Sequence, residues 1–493
     1  MQPRILLIEP PFFRFKGANS EIFPIGLGYV ASLLHKNNYF VKVYNGEQFS
    51  EAEATSVVSY QDLLDSHKKF IAGLHDNNHF IWREVQEYIK KYKPTIIGMG
   101  TTTTKMKSAL KIAEIAKSLD SNIKIVIGGL HATIMPDDIL KSNNVDFAVR
   151  GEGEFTFLEL VQALENGTSV SHIKGLSYID SNGKEIKNPD RQFLEDLDAL
   201  PFPDKNLIIE EQKAKAKYQI IFCSRGCPYR CNYCNTASIW GRKVRYHSVP
   251  RIIEEIKRIK EQEHTNHIQF FDDTFTLSPP WVTELCTAMI KEDLQITWSC
   301  LTRLDRLDEK LLMLMKQAGC NGIAMGVESG SQRVLDSIKK DITLEKIFAG
   351  QDIINKVGIS WDAFIMLGMP YETKDDMYAT LLLMKKLQCR SIILSVFTPY
   401  PGTELYDVTK EMGLLSTDKD WEKYSHQSAE NSFNKNVSAE EYKLILQEAV
   451  RIADRKNLHF KDLFHKAYRK KNYFLKHPQE FIQKMAKVMK SVV

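Results

Sequence analysis

The chain has 493 residues, of which 43% are hydrophobic and 26% charged, and its net charge is +4. This length predicts about two or three domains, and the composition is typical of a globular protein in water. No apolar run is long enough for a transmembrane helix, and the N-terminus lacks the apolar region of a signal peptide, so we expect a cytoplasmic protein. The eight cysteines do not indicate a disulfide framework in so long a chain.

Strands and helices alternate through residues 1–170. The runs RILLIEPP, FVKVYNG, TIIGMG, KIVIGG and DFAVRGEGE predict buried parallel strands, with amphipathic helices between them. This alternation predicts a doubly wound, Rossmann-like parallel sheet, which binds ligands at the carboxyl ends of its strands. Those ends carry the small residues of EPP, GTTTT, GGLHAT and GEGE, so we predict a flat ligand shelf there. No G-x-G-x-x-G motif follows the first strand, which argues against a dinucleotide site.

The next segment, residues 171–212, has a different pattern. It contains a predicted hairpin that turns at Ser181–Gly183 and a proline-punctuated linker, LDALPFPD. Residues 213–405 then show a second alternating series of six strand–helix units. Six units are too few for a closed barrel of eight, so we predict a partial, open (β/α)6 TIM barrel. Residues 406–493 are expected to be helical and basic.

Three cysteines follow the first strand of the second series. The stretch SRGCPYRCNYCN begins at Ser224 and places Cys227, Cys231 and Cys234 in the pattern C-x3-C-x2-C. Thiolates at such spacings bind zinc or iron–sulfur clusters. A structural zinc site usually has four ligands, and no second C-x2-C pair exists in this chain. Three cysteines would instead hold three irons of a four-iron cluster and leave one iron for a substrate or cofactor.

The other cysteines are less suited to this task. Cys223 could complete a four-cysteine set, but it ends the strand YQIIFC, where the pleat fixes its side chain. We therefore favour a buried position for it and keep the alternative open. The remaining four are expected to be small buried apolar residues: Cys286, Cys300, Cys320 and Cys389.

The cysteine pattern in its context resembles the radical S-adenosylmethionine family, and within it the subgroup with an N-terminal cobalamin-binding domain. The motifs FFDDTFT, WSCLTR, GIAMGVESGS, LGMPYET and PYPGT follow in the same order, and the N-terminal EPP, GGLHAT and GEGE agree. The resemblance covers roughly residues 3–405. It implies that the reduced cluster passes one electron to S-adenosylmethionine, giving methionine and a 5′-deoxyadenosyl radical that abstracts a substrate hydrogen.

The resemblance also implies which residues hold these groups. Cys227, Cys231 and Cys234 would bind the [4Fe–4S] cluster. The residues expected to hold S-adenosylmethionine are Tyr233 near the adenine, Asp272 and Asp273 near the amino group, Arg303 near the carboxylate, and Glu328 and Ser329 near the ribose. The alternative for Arg303 and the two aspartates is a salt bridge or helix cap at the barrel rim.

In the N-terminal domain the resemblance implies a corrin ring lying over the strand ends. The residues expected to approach it are Pro10, Thr101, Thr102, Thr103, Gly128, Gly129, His131 and Glu152. No histidine follows the first strand, and DSHKKF at 65–70 is interpreted as a solvated helix face. His131 is expected to form a hydrogen bond near the corrin or the backbone. We therefore predict cobalamin without a histidine lower ligand.

The expected activity is methylation of an unactivated carbon through methylcobalamin. The alternatives are a non-methylating member, such as an anaerobic tetrapyrrole cyclase, and a cobalamin-binding sensor or scaffold; methylthio transfer is less favoured. Expected partners are a small-molecule or natural-product substrate and an electron donor such as flavodoxin or ferredoxin, with no nucleic acid. The basic C-terminus is expected to be a solvated helical face, and weak contact with a membrane surface is the alternative.

Overall fold

The fold is that of a computed structural model, which describes residues 2–50, 53, 59–415, 420–428 and 431–457. Within these ranges no helix combines the length and the apolar character needed to cross a bilayer. Most of the basic C-terminal segment, and with it the predicted membrane-surface contact, lies outside the described residues.

A seven-stranded sheet forms the N-terminal half of the molecule. Its strands are β1 Arg4–Glu9, β2 Phe40–Asn45, β3 Ile96–Gly100, β4 Lys124–Gly128, β5 Phe147–Val149, β6 Leu176–Ile179 and β7 Glu185–Lys187. They lie in the order β2-β1-β3-β4-β5-β6-β7, parallel from β2 to β5 and antiparallel beyond. The predicted parallel sheet is confirmed. The predicted hairpin is present as β6 and β7, and it extends this sheet although the sequence grouped it with the linking segment.

The helices of this half cover the sheet on both faces. They are α1 Ile25–Lys36, α2 Tyr60–Asp65, α3 His67–His75, α4 Phe80–Tyr92, α5 Met106–Leu119, α6 Leu130–Ile134, α7 Pro136–Leu140 and α8 Gly153–Asn166, with α9 Glu210–Lys213 in the linker. Four successive residues of β1, Ile5 to Ile8, are almost fully buried. A parallel strand covered on both faces needs such an unbroken apolar run.

A six-stranded parallel sheet forms the second half. Its strands are β8 Ile220–Ile221, β11 His267–Phe270, β12 Thr297–Thr302, β13 Cys320–Glu328, β14 Ser360–Leu367 and β15 Ser391–Val396. A separate antiparallel pair, β9 Ser224–Arg225 and β10 Arg245–Tyr246, lies between β8 and β11 in the chain. The parallel strands lie in the order β8-β11-β12-β13-β14-β15. The partial six-stranded barrel is therefore confirmed.

Helices connect and cover these strands. They are α10 Thr236–Trp240, α11 Val249–Glu263, α12 Pro279–Lys291, α13 Glu309–Gln317, α14 Gln332–Ser337, α15 Leu344–Val357, α16 Lys374–Lys386, α17 Glu404–Glu411 and α18 Ala439–Asn457. Buried apolar side chains of the barrel pack in one continuous cluster with those on one face of the N-terminal sheet. The two halves therefore share a core.

The last strand of the open barrel, β15, has its outer edge covered. The side-chain amide of Asn457, at the end of α18, bonds both the N–H and the C=O of Ile392 at 2.7 and 2.8 Å. The carbonyl of His426 accepts from the N–H of Val396 at 2.9 Å. The Tyr60 hydroxyl of α2 donates to the carbonyl of Leu394. Unpaired edge strands invite association with other chains, and these contacts satisfy the edge within the molecule.

A buried carboxyl group near the end of β14 gives the fold a pH dependence. Glu372 is fully buried; its Oε2 accepts the N–H groups of Gly368 and Met369 at 2.7 and 3.1 Å, and its Oε1 has no hydrogen-bond partner among the residues that the structure describes. Burial raises the pKa of this carboxyl to about 8, although the two N–H groups act in the opposite direction. Its proton is therefore held by the folded protein over a range in which the unfolded chain has released it.

We expect Glu372→Gln to become more stable relative to the wild type as pH rises. Between the ordinary glutamate pKa and about 8 the wild type must release a proton to unfold, so its stability falls with rising pH by up to about 1.4 kcal/mol per pH unit from this group. Glutamine cannot titrate and removes that slope. Denaturant unfolding at about pH 5 and about pH 8 measures the difference. Equal slopes for wild type and variant would contradict it, and Glu411→Gln at an exposed site is the control.

Candidate functional site

The cysteine loop connects β9 to α10 at the mouth of the barrel. It starts at Gly226, whose φ of +110° and lack of a side chain let the loop pass against the carbonyl of Lys243. The Cys227 N–H donates to the Gly241 carbonyl at 3.2 Å, and the Cys234 N–H donates to the Cys231 carbonyl at 3.2 Å. All three loop cysteines are free thiols; Cys227 and Cys231 are half-buried and Cys234 is exposed.

The three thiols on this loop suit an iron–sulfur cluster. Among the described residues, no three Cys, His, Asp or Glu side chains converge on one ion position. A four-iron cluster takes one thiolate per iron, so its ligands need not converge on a point. Burial raises the pKa of the Cys227 and Cys234 thiols. Cluster iron would offset this cost, because a coordinating thiol is deprotonated outright.

Cys223 lies apart from the loop. Its side chain is buried, its N–H donates to Asp272 Oδ2 at 3.3 Å, and burial raises the pKa of its thiol well above the usual range. Asp272 also accepts from the Ser224 hydroxyl at 2.5 Å, and burial raises the pKa of this carboxyl to about 7. Asp272 thus fixes the backbone that leads into the cysteine loop and is itself buried.

Asp273 is the exposed member of the aspartate pair. The Thr236 hydroxyl, at the start of α10, donates to Asp273 Oδ1 at 3.2 Å and also contacts the Cys234 sulfur at 3.3 Å. Desolvation by the surrounding protein raises the pKa of Asp273 to about 6. This exposed carboxylate therefore lies beside the cysteine loop, and its role in holding a methionine amino group stays a prediction.

Glu328 lies at the end of β13, the fourth strand of the barrel, and its side chain contacts the cysteine loop. Its Oε1 accepts from the Tyr233 hydroxyl at 3.0 Å and from Lys340 Nζ at 2.8 Å, and Lys340 Nζ also donates to the Tyr233 hydroxyl at 3.2 Å. Glu328 has φ +67°, which is unfavourable for a residue with a side chain. Gly326 makes room, because a Cβ there would clash with both Glu328 and Lys340. Sequence reasoning missed Lys340 and Gly326.

Arg303 is brought to the same place, but its guanidinium already has partners. It forms a bidentate ion pair with Asp305 at 2.9 and 3.0 Å, donates to the Lys340 carbonyl at 2.6 Å, and stacks on the Tyr229 ring at 3.9 Å. The rim salt bridge considered from the sequence is therefore what the structure contains. Ser329 is not brought to the site: it is fully buried, and its hydroxyl bonds Thr380 Oγ1 at 3.0 Å.

A cavity of about 580 Å³ lies between the two halves of the molecule. One wall consists of the carboxyl ends of β1, β3, β4 and β5, and the other includes Ile220, Phe222 and Phe271 of the barrel. Ile239 and Trp240 of α10, which directly follow the cysteine loop, also line it. The lining is largely apolar and includes several glycines, so it suits a flat apolar ring system that the backbone approaches closely.

The residues predicted to approach a corrin divide into two groups. Gly128, Gly129 and Glu152 line the cavity. Gly129 has φ +91°, and a Cβ there would lie 2.7 Å from the Thr101 carbonyl oxygen. The others are not among its lining residues: Pro10, Thr101, Thr103 and His131 are buried, and Thr102 is exposed.

His131 is buried behind the cavity wall that the strand ends of the first sheet form. Its Nδ1 bonds Thr103 Oγ1 at 3.1 Å, its N–H donates to the Thr101 carbonyl at 3.2 Å, and its ring packs on Trp421. The expectation that it bonds to backbone rather than pointing at a cobalt ion agrees with this position.

Glu152 also belongs to a buried ionic cluster that joins the two halves. It lies 3.0 Å from the guanidinium groups of both Arg225 and Arg245, on β9 and β10, and Arg225 also pairs with Glu154 at 2.6 Å. All four side chains are less than a tenth exposed. Each arginine thus has a carboxylate partner, as buried charges require. The β9–β10 pair that frames the cysteine loop is thereby fixed to α8.

The interpretation of residues 65–70 as a solvated helix face holds for Asp65, Lys68 and Lys69, which are exposed, but not for the other side of the segment. His67 and Phe70 are buried because both rings pack on Phe12, with centroid distances of 6.2 and 4.7 Å. Burial lowers the pKa of His67 to about 4. His67 does not line the cavity, so the prediction that this segment supplies no ligand to a corrin is unaffected.

Comparison with known proteins defines the class to which this fold and site belong. The model of the radical SAM superfamily matches residues 221–384, and the model of the B12 binding domain matches residues 17–161. An uncharacterized methyltransferase of Pyrococcus horikoshii is 33% identical over 429 residues, which are 86% of each chain. An anaerobic magnesium-protoporphyrin IX monomethyl ester cyclase of Rubrivivax gelatinosus is 29% identical over 69% of this chain and 62% of its own.

A solved structure has a similar fold over most of the chain. The radical S-adenosylmethionine methyltransferase TsrM of Kitasatospora setae, with cobalamin and an iron–sulfur cluster bound, has a TM-score of 0.64 at 17% identity, covering 85% of this chain and 76% of TsrM. The chain is therefore a member of the radical SAM superfamily of enzymes. Within it, the chain belongs to the members that carry an N-terminal B12-binding domain, as the sequence motifs predicted.

Proposed function

We propose that this protein is a cobalamin-dependent radical S-adenosylmethionine methyltransferase that methylates an unactivated carbon of a small molecule. Residues 1–170 would bind cobalamin and residues 213–405 would generate the radical. When bound, the cluster and S-adenosylmethionine supply a 5′-deoxyadenosyl radical, and methylcobalamin supplies the methyl group.

The observation that carries this proposal is the shared cavity. Its walls come from the strand ends of the B12-binding half and from the barrel, and Ile239 and Trp240 connect it directly to the cysteine loop. A corrin lying on Gly128 and Gly129 would therefore be next to the place where the radical forms. Methyl transfer to a substrate radical requires both groups to reach one substrate, which this arrangement permits.

The chain's own side chains would hold and aim these groups. Cys227, Cys231 and Cys234 would bind three irons, and Asp273 offers a carboxylate beside the loop for the amino group of S-adenosylmethionine. Tyr233 and Glu328 offer an aromatic ring and a carboxylate at the end of β13. The aromatic side chains Phe222, Phe271 and Trp240 would help exclude water from the cavity.

The relatives support methylation more than the alternative. The relative from Pyrococcus horikoshii, which matches most of both chains, is described as a methyltransferase. The cyclase from Rubrivivax gelatinosus favours a second candidate, an oxidative ring closure without methyl transfer, but its match covers a smaller part of both chains. The two candidates use the same cluster and differ in whether the product gains a methyl group.

An experiment with a labelled methyl donor distinguishes methylation from oxidative ring closure. The reconstituted protein, loaded with cobalamin under anoxic conditions, is incubated with S-adenosylmethionine deuterated at the methyl group, a reductant and an extract of small metabolites. We expect a product that carries the deuterated methyl group, detected by mass spectrometry, together with 5′-deoxyadenosine. Formation of 5′-deoxyadenosine with an unlabelled, dehydrogenated product would favour ring closure, and absence of both would contradict the proposed function.

A further inference from the structure

Three arginines beside the cysteine loop have no carboxylate partner within the described part of the chain. They are Arg230, Arg242 and Arg306; all are exposed, and none forms an ion pair with any residue that the structure describes. We propose that this group, the loop arginines, is the docking surface for an acidic one-electron donor protein of the flavodoxin or ferredoxin type. This inference rests on the proposed function, because that function requires an electron from outside.

The loop arginines are held in place by Tyr229, which lies between the first two loop cysteines. Arg242 donates to the Tyr229 carbonyl at 2.6 Å, and Arg306 donates to the Tyr229 hydroxyl. Arg230 is the next residue along the chain and makes no hydrogen bond within the described part of the protein. Two of the three guanidinium groups are therefore fixed on the residue that separates Cys227 from Cys231, and the third projects from the loop itself.

Other basic residues near the loop have carboxylate partners. Lys243 pairs with Glu195 at 2.5 Å, Lys339 pairs with Glu404 at 2.6 Å, and the buried Arg303 pairs with Asp305. Their charges are locally balanced. The loop arginines keep their full charge for an external partner, and an arginine fork is well suited to bind carboxylates.

The proposed one-electron chemistry of the cluster requires a donor protein to come close to the cysteine loop. Each cleavage of S-adenosylmethionine by the proposed mechanism takes one electron from the cluster, so the donor must lose one electron to restore it. Electron transfer requires the two redox centres to approach, and the exposed Pro228 and Arg230 place the loop at the protein surface. An acidic donor would be steered to the positive loop, as complementary charges accelerate encounter between proteins.

The test compares a protein donor with a small reductant. The triple variant Arg230→Glu, Arg242→Glu, Arg306→Glu is reconstituted with the cluster, and bleaching of the cluster absorbance is followed after mixing with flavodoxin hydroquinone. We expect reduction at least about ten-fold slower than in the wild type at low salt. The difference should shrink as salt screens the charges. Reduction by dithionite should be unchanged, which shows that the cluster itself is intact.

A second triple variant controls for overall charge. Lys36→Glu, Lys90→Glu and Lys141→Glu change the net charge equally on exposed helix ends of the N-terminal half, and flavodoxin should reduce this protein at the wild-type rate. Equal rates of reduction by flavodoxin for the wild type and the arginine variant would overturn the inference. Failure of the wild type to acquire a reducible cluster would instead contradict the proposed function.

Discussion

Replacing Cys231 with alanine is expected to abolish the iron–sulfur cluster and all cleavage of S-adenosylmethionine. With two loop thiols left, two irons of the cluster would lack a protein ligand, and the cluster would not persist. Iron and sulfide analysis after anoxic reconstitution should fall from about four irons per chain to background. Cys227→Ala and Cys234→Ala should behave in the same way, because each thiol would hold a different iron.

Cys223→Ala is the matched control for these variants. Cys223 lies four residues before Cys227, but its thiol is buried under the strand end beside Asp272 and not on the loop. We expect this variant to keep its cluster and its cleavage activity, with at most a modest loss of stability from the small cavity. If Cys223→Ala also lost the cluster, four protein thiolates would hold it. The iron that S-adenosylmethionine needs would then be unavailable.

Periodicity and local chemistry made the fold predictable. Buried parallel strands such as β1 are continuous apolar runs, and strict alternation with helices leaves few topologies. The cysteine loop was equally predictable, because its three cysteines lie within eight residues of the chain. The hairpin was recognised from its turn, but its pairing with the edge of the first sheet depends on a contact between β5 and β6 that no local pattern encodes.

Long-range contacts explain where the site prediction fell short. Ser329 follows Glu328 directly, but the bulge at the end of β13 turns its hydroxyl into the core against Thr380. His67 is buried because Phe12, 55 positions earlier, packs on it, although the surrounding DSHKKF is polar. Lys340 sits in a charged stretch, IKKD, that is typical of a solvated turn. Only the folded chain shows that it reaches the barrel rim.

Lys340 connects three residues that the sequence assigned separately to S-adenosylmethionine. Its ammonium group donates to Glu328 and to Tyr233, and its carbonyl accepts from Arg303. The side chain is buried, and its partner Glu328 is held in a left-handed conformation. Without the ammonium group, the Glu328 carboxylate would be left with Tyr233 as its sole partner among the described residues. Breaking a buried ion pair in this way costs about 3–5 kcal/mol.

We expect Lys340→Met to weaken the binding of S-adenosylmethionine to the reconstituted protein by at least about ten-fold, because Glu328 and Tyr233 lose their fixed positions. Equilibrium binding and the spectrum of the reduced cluster, with and without S-adenosylmethionine, measure the effect independently of turnover. Gly326→Ala should act similarly without removing a charge, since its Cβ would clash with both members of the ion pair. Combining Lys340→Met with Glu328→Gln should cost little more than Glu328→Gln alone, because the two side chains act as one unit.

The neighbouring Lys339→Met is the control for these variants. Lys339 is exposed and pairs with Glu404 at the surface, so its loss should leave binding of S-adenosylmethionine unchanged. A Lys340→Met protein that keeps its cluster and binds S-adenosylmethionine as tightly as the wild type would show that the ion pair only stabilises the end of β13. Rescue of binding by Lys340→Arg, which keeps the charge, would instead identify the pairing with Glu328 as the feature that positions the cofactor.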